Sequence, residues 1–157
     1  MGIIKISTEI DVSVEKVFHL VKDEKRMLDL VPLPRGKIYV EKLTEGPLQV
    51  GTEFSVAYRV GFFTLKLWTS KVIELVENRL YHTRSSSGFN FKASIWTLES
   101  LPRGTRLTRY VKYELPGSVI GKVVDRLWVN RWLKKKTTLW IKDIKKYLEK
   151  EERLQSL

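Results

Sequence analysis

The feature that most constrains the fold of this chain is a helical hydrophobic period that begins after Pro116-Gly117 and continues to about residue 152. At 1.5 Å per residue, these roughly 35 residues would make a helix about 50 Å long. The predicted C-terminal helix therefore spans about residues 118–152, with Ser118 suited to cap it. Such a helix has to lie across a broad apolar surface, which the preceding residues must supply.

The segment before the helix is patterned as a series of strands. From KIYVEKL (37–43) onward, apolar and polar residues alternate with a period of about two. Turn-forming sequences separate the runs, as at Gly61 and at Glu77-Asn78. Six consecutive strands in an antiparallel meander are predicted, and one face of such a sheet is the surface that the helix needs.

The N-terminal residues predict one more strand and two short helices. Residues 3–10 (IIKISTEI) read as a strand, and Asp11 or Ser13 would cap the helix that starts with VEKVFHLV. A second short helix is predicted around 24–30, closed by Pro32. The element order is then β-α-α-β6-α, an α+β fold. With no linker or repeat, we expect one domain over residues 1–157.

Composition removes several classes of chemistry. The chain contains no cysteine, which excludes disulfides, thiolate metal sites and cysteine nucleophiles. It has two isolated histidines and no HExxH motif, nucleophile elbow or glycine-rich phosphate loop, so we predict no metal, no cofactor and no assigned catalytic residue. No segment has the pattern of a signal peptide or of a membrane-spanning helix, so we expect a cytoplasmic protein.

Three stretches carry a resemblance to a known family. The opening STEIDVSVEKVFHLVKD (7–23), the middle LWTSKVIELVENRLYHTRS (67–85) and the tail GTRLTRYVKYELPGSVIGKVVDRL (104–127) resemble the helix-grip, START-like superfamily. That superfamily includes polyketide cyclases/dehydrases, coenzyme-Q-binding proteins and birch-pollen-allergen-like proteins. The resemblance implies a curved seven-stranded antiparallel sheet wrapped around the long C-terminal helix, with a cavity between them.

The resemblance further implies that this cavity holds an apolar small molecule, such as a lipid, an isoprenoid or quinone, or a polyketide-like ring system. The strands supply many large apolar side chains for one face of the sheet, although any single ring is more often part of a packed core. The candidate ligand-binding residues are Phe54, Tyr58, Trp68, His82, Phe91, Trp96, Arg109, Tyr113 and Trp128.

Arg109 and His82 are the polar members of this set. If the strand parity of Leu107 and Val111 faces inward, Arg109 is a buried guanidinium that needs a carboxylate or an anionic ligand group. The alternative is that a bulge turns it outward or that Glu114 or Asp125 pairs with it. A lone histidine such as His82 suits proton transfer, but it is more often a surface or core residue.

Three functions remain open from the sequence. The first is binding or transport of an apolar small molecule by a protein that is not an enzyme. The second is a cyclase/aromatase or dehydratase that uses His82, Arg109 or Tyr113 to handle protons, by analogy of fold. The third follows from the formal net charge of +11, which would attract nucleic acid or an anionic membrane. Nucleic acid is the less favoured of these two partners, and both a monomer and a homodimer remain open.

Two tryptophans do not fit the apolar stripes of the C-terminal helix. Trp128 and Trp132 project to a side shared with Lys135 and flanked by Arg131 and Lys136. We predict that both rings pack beneath the first two helices near the mouth of the cavity. The alternative is an exposed patch for a partner chain or a membrane surface.

Overall fold

The computed structural model describes residues 1–32, 36–115 and 128–157. Strands and helices follow one another in the predicted order. They are β1 (Gly2–Ile10), α1 (Val14–Val21), α2 (Glu24–Asp29), β2 (Lys37–Lys42), β3 (Glu53–Val60), β4 (Phe63–Val76), β5 (Leu80–Gly88), β6 (Asn90–Ser100), β7 (Thr105–Glu114) and α3 (Asn130–Gln155).

The strands form one seven-stranded antiparallel sheet in the order β1-β7-β6-β5-β4-β3-β2. The predicted meander is confirmed, and β1 joins it by pairing with the last strand, β7. Irregularities in register lie between Val56 and Ala57 on β3, and at Thr69/Ser70 and Val72/Glu74 on β4. Because each bulge bends its strand, they help to give the curved sheet on which α3 lies. The predicted helix-grip architecture is confirmed.

Two apolar clusters hold the helices to the concave face of the sheet. The larger one joins α1, α2 and α3 to the sheet and includes the fully buried Val17, Leu107 and Ile144. The smaller one is centred on Val111 and Tyr113, with the start of α3 packed against it. Residues of β7 alternate between the two faces, so Leu107, Arg109 and Val111 point the same way. Arg109 therefore lies between the two clusters.

The C-terminal helix follows its predicted pattern in the described residues. Ile141, Ile144 and Leu148 are buried on the side that faces the sheet, as their spacing predicts. The helix ends at Gln155, slightly beyond the predicted end at about residue 152. Its predicted start at Ser118 lies outside the described residues.

The prediction for the two tryptophans of this helix is wrong. Trp128 is 79% exposed and Trp132 is 55% exposed, so neither packs beneath the first two helices. Val129 and Leu133 pack against the smaller cluster instead. Each tryptophan precedes one of these residues, and successive helical residues are rotated by about 100°, so the rings turn away from the sheet. Trp128 thus lies on the surface and not against the concave face.

Candidate functional site

A row of three side chains crosses the middle of the concave face. Tyr81 on β5 is paired with Trp96 on β6, which in turn is paired with Arg109 on β7. Directly paired residues project to the same side of a sheet, within contact distance of one another. Tyr81 and Trp96 are 1% and 3% exposed. The inward-facing alternative for Arg109 is therefore the one that the structure adopts.

Two tryptophan rings, roughly perpendicular to each other, contact the guanidinium of Arg109. Its central carbon lies 4.4 Å from the ring centroid of Trp96 and 5.1 Å from that of Trp140. The two rings meet edge to face, with centroids 5.3 Å apart. The indole nitrogen of Trp140 donates a hydrogen bond of 2.8 Å to the carbonyl oxygen of Met27. This bond joins α3 to α2 and keeps the Trp140 ring over the cation.

Glu24 supplies the negative charge opposite Arg109. It occupies the first turn of α2, where the side chain of Asp23 caps the helix by accepting from the backbone N–H of Arg26 at 3.2 Å. Residues three and four positions apart share a helix face, so Glu24 lies on the side of the buried Met27 and Leu28. Its carboxyl group therefore points inward, although part of the residue remains accessible.

Burial governs the protonation of this group. It raises the pKa of Glu24 from 4.5 to about 7, against the opposing effect of the Arg109 charge. Burial likewise lowers the pKa of Arg109 to about 10, although the carboxylate of Glu24 acts in the other direction. The pKa of Tyr81 is raised by burial and further by the charge of Glu24. At neutral pH the arginine is a cation, the tyrosine is neutral and Glu24 titrates.

Several buried polar atoms of this face have unused hydrogen-bonding capacity. Within the described residues, Arg109 Nε and the Ser70 hydroxyl have no hydrogen-bond partner, while the Tyr81 hydroxyl interacts with the carboxyl group of Glu24. Thr83 and Ser94 lie opposite each other beside the row and are 6% and 9% exposed. Buried polar atoms are nearly always paired with protein or water. The face therefore offers donors and acceptors to a molecule placed upon it.

A second aromatic group occupies the end of the concave face where β7 ends. Trp68 and Phe91 meet edge to face with centroids 5.2 Å apart, and Phe91 pairs with Tyr113 across the β6–β7 ladder. Tyr113 is fully buried and its ring lies against Gly2, where a larger residue would collide with it. Trp68 and Phe91 are half-buried.

The remaining predicted residues lie further from Arg109. Phe54 is 7% exposed and belongs to the larger core cluster. Tyr58 is half-buried, with its ring beside Gly36 near the β2 edge. His82 points to the opposite, convex face, because it alternates with the inward-facing Tyr81 on β5.

On the convex face, His82 is paired with Glu74 and Ile95 in the ladders. Burial lowers its pKa, against the effect of Glu74. The structure thus brings Trp96 and Arg109 together and gathers Trp68, Phe91 and Tyr113 at one end. It does not bring His82 or Trp128 to either group.

The sequence-based prediction omitted three members of the central group, Glu24, Tyr81 and Trp140. A signal for Glu24 was present, because it precedes Met27 and Leu28 by three and four positions. Tyr81 could have been found once the register with Trp96 was known. That register is set by the pairing of β5 with β6, two segments about fifteen residues apart, and no local pattern reveals it. Trp140 fits an apolar stripe of the helix, and that pattern gives no sign of its contact with a cation.

Among the described residues, a surface groove lies away from the Arg109 group. This groove of about 440 Å³ lies between α1 and the end of α3, where charged residues such as Glu15, Lys16 and Glu152 line it. Among the described residues, no three His, Asp or Glu side chains are grouped so as to hold a metal ion. None of the described helices is both long and apolar enough to cross a membrane.

Comparisons with known proteins identify a family. The sequence profile of the family described as polyketide cyclase/dehydrase and lipid transport matches residues 1–149. No curated protein sequence matches the chain.

Solved structures share its fold. A protein of Thermus thermophilus superposes with a TM-score of 0.72 at 15% identity, over 94% of this chain and 97% of its own. A protein of unknown function from Staphylococcus aureus gives 0.72 at 10% identity, over 97% and 96%. An aromatase/cyclase from Streptomyces gives 0.68 at 17% identity, over 94% and 93%. At such low identity, these structures establish the fold alone.

Proposed function

Because the chain belongs to the polyketide cyclase/dehydrase and lipid transport family, we propose that it binds an apolar small molecule between the concave face and α3. The molecule's polar end would contact Arg109 and Tyr81. Its apolar part would extend along the sheet toward Trp68 and Phe91, which contact each other at the end of that face.

The observation that carries this proposal is Arg109, whose buried Nε has no partner and whose guanidinium contacts two tryptophans in a largely apolar face. A buried ion pair is commonly no more stabilising than apolar residues of the same volume. A core whose only task was stability would gain nothing from Glu24 and Arg109 here. A polar anchor within an apolar surface does, however, fix the orientation of a ligand.

The partial exposure of Arg109 and of its neighbour on β1 supports an open space beside the guanidinium. Arg109 lies in an inner strand with α3 above it, and burial lowers its pKa, yet the residue retains accessible surface. Ile6, its ladder partner, is also only half-buried. Thr83 and Ser94, two small hydroxyl residues, lie beside the row on the same face. Enclosed residues that keep accessible surface border an opening rather than a close-packed core.

The charges define the class of ligand. One arginine, partly neutralised by Glu24, suits a single oxygen-bearing group such as a carbonyl, a phenol or one carboxylate. The aromatic walls suit a ring system or an unsaturated chain. Among the described residues, this face presents too few cations for a highly charged nucleotide.

The test is calorimetric titration with 2-naphthoate, an aromatic ring system with one carboxylate. We expect Arg109→Met to weaken binding about tenfold or more, since it removes the charged donor. Arg84→Met is the matched control, because Arg84 is exposed on the convex side of β5. Equal affinities for both variants, with native near-ultraviolet circular dichroism, would exclude the proposed role of Arg109. Native mass spectrometry of freshly purified protein identifies any molecule that it carries from the cell.

One observation favours an enzyme as the second candidate. A carboxylate with a pKa near 7 beside a cation is suited to remove a proton next to a carbonyl, while the cation stabilises the enolate oxygen. Glu24 would be the base and Arg109 the stabilising group, instead of the predicted His82 or Tyr113. Deuterium exchange at the central carbon of benzoylacetone tests this function. Glu24→Gln should abolish any exchange catalysed by the protein, whereas Arg84→Met should leave it unchanged.

We also propose that the protein acts in the cytoplasm and that its positive charge serves a membrane surface more than nucleic acid. Nucleic-acid binding would give a steep dependence of heparin retention on salt. Light scattering distinguishes the monomer from the homodimer, both of which remain hypotheses.

A further inference from the structure

The β3–β4 hairpin extends beyond the end of β5 on one side, while β2 runs beside β3 as far as the Lys37–Arg59 pair. Trp68 pairs with Gly88, and Phe89 N donates to the carbonyl of Leu67 at 2.9 Å where β5 turns into β6. The four residues 63–66 pair with β3 beyond this point, a length of about 13 Å. Gly61 makes the turn with a φ of 58°, which glycine adopts at little cost.

This tip is strongly apolar. Phe62 is 100% exposed, Phe63 is 84% exposed and Leu65 is 62% exposed. Scattered apolar residues on a surface are ordinary, but adjacent phenylalanines at the end of a hairpin form a contiguous apolar surface. We call residues 60–65 the hairpin tip.

The exposed tryptophans lie at the same end of the molecule. Val129 and Leu133, which neighbour Trp128 and Trp132 in sequence, pack against the cluster that includes Phe89. Phe89 is also the residue whose backbone bonds to β4 at the base of the hairpin. The hairpin tip and the first turns of α3 therefore flank one end of the sheet.

The sequence segments of the hairpin tip and of the two tryptophans carry only basic charges, and Glu114, at the same end of the sheet, is paired with Lys92. The sequence contains no Asp or Glu from residue 54 to 73 or from 126 to 142. Arg59 and Lys66 are exposed beside the hairpin tip, and Arg131, Lys134 and Lys135 are exposed beside the tryptophans. Exposed phenylalanine and tryptophan flanked by lysine and arginine are typical of surfaces that enter the interface of an anionic bilayer.

We propose that this end of the protein docks on an anionic lipid surface, with the hairpin tip and Trp128 and Trp132 inserted among the headgroups. Charge complementarity selects this occupant over a second copy of the chain, because a symmetric dimer would bring these cations together. The proposal rests on the membrane contact proposed above and names the surface that makes it, and it holds whichever molecule the concave face takes.

The experiment is sedimentation with two kinds of vesicle, phosphatidylcholine alone and phosphatidylcholine with roughly one quarter phosphatidylglycerol. The wild-type protein should bind the anionic vesicles and release on addition of salt. Phe62→Ser/Phe63→Ser should lower the partition coefficient at least about tenfold, since two exposed rings no longer enter the interface. Trp128→Ser/Trp132→Ser should lower it similarly.

Matched controls lie at the other end of α3. Leu154→Ser removes a side chain that is 59% exposed, and it should leave vesicle binding unchanged. Lys150→Glu should weaken binding less than Lys66→Glu, because Lys150 lies near the end of α3, away from the hairpin tip and the exposed tryptophans. Arg109→Met should keep vesicle binding, which separates this test from that of the ligand site.

Two kinds of result would overturn the proposal. One is a failure in the vesicle test, either equal binding of the Phe62→Ser/Phe63→Ser and Leu154→Ser proteins or no binding by the wild type. The other is a dimer in light scattering that the phenylalanine substitutions convert to a monomer, with no vesicle binding by either form. The second result would assign the surface to self-association.

Discussion

The guanidinium carbon of Arg109 lies 4.4 Å from the ring centroid of Trp96, its direct neighbour across the β6–β7 ladder. The contact places a charge in the middle of a face whose surroundings are apolar. Because Glu24 and Trp140 approach the same cation from α2 and α3, the three elements are coupled through one side chain. Stability and ligand binding should therefore respond together to changes at this position.

Removing the cation should destabilise the protein in a way that depends on pH. Arg109→Met leaves the Glu24 carboxylate buried without its counter-charge, so at about pH 8 we expect a loss of about 3 kcal/mol. At about pH 5 Glu24 is protonated, and the loss should fall to about 1 kcal/mol. Urea unfolding of both proteins at the two pH values measures the difference.

The double variant Glu24→Gln/Arg109→Met is the control. Since the two side chains interact, its loss at about pH 8 should be smaller than the sum of the single losses. Additive losses would mean that Glu24 and Arg109 do not stabilise each other in the folded protein.

Glu24 should also make folding stability depend on pH in its own right. Its pKa is about 7 in the folded protein and ordinarily 4.5, so the folded state holds the proton more tightly. The contribution is fully present below pH 4.5 and is lost as the pH rises to about 7, by up to about 3 kcal/mol. The difference in unfolding free energy between wild type and Glu24→Gln isolates this residue. If this difference stays constant as the pH rises, or if the wild type becomes more stable relative to Glu24→Gln, the raised pKa is contradicted.

Most of the fold could be predicted from the sequence, because the patterns that define its strands, turns and helices are local. The alternation in KIYVEK and the turn at Glu77-Asn78 each involve residues only a few positions apart, and both correspond to observed elements. The apolar spacing of Ile141, Ile144 and Leu148 predicts the buried side of α3. Such periodicities follow from backbone geometry alone.

The candidate site was less accessible because it depends on register between distant segments. Arg109 was singled out, but its actual surroundings come from α2, β5 and α3. Glu114, one proposed partner, is paired with Lys92, and Asp125, the other, lies outside the described residues. The face to which His82 points was decided by pairing across strands, and a shift of one residue would have reversed it.

Trp140 should contribute to stability through its hydrogen bond and its ring contact. Trp140→Phe keeps an aromatic ring but removes the donor to Met27 and weakens the contact with Arg109. We expect a loss of about 1–2 kcal/mol. Trp132→Phe, at an exposed position on the same helix, should change stability by less than about 0.5 kcal/mol. Similar losses for the two variants in urea unfolding would show that the link between α3 and α2 is energetically unimportant.

Gly104 should not tolerate a side chain, because a Cβ there would add a steric clash to the strain of a positive φ. Gly46 has a similar φ without the clash, so it measures the strain alone. Both glycines have a positive φ, 91° and 89°, which costs a residue with a Cβ about 1 kcal/mol. At Gly46 a Cβ would meet open space, whereas at Gly104 it would collide with the carbonyl oxygen of Ile10 at the end of β1. We expect Gly46→Ala to cost about 1 kcal/mol and Gly104→Ala at least about 2 kcal/mol, since the β6–β7 turn must move away from β1. Thermal and urea unfolding of the two variants measure the difference, and equal losses would mean that backbone conformation alone accounts for the glycine at position 104.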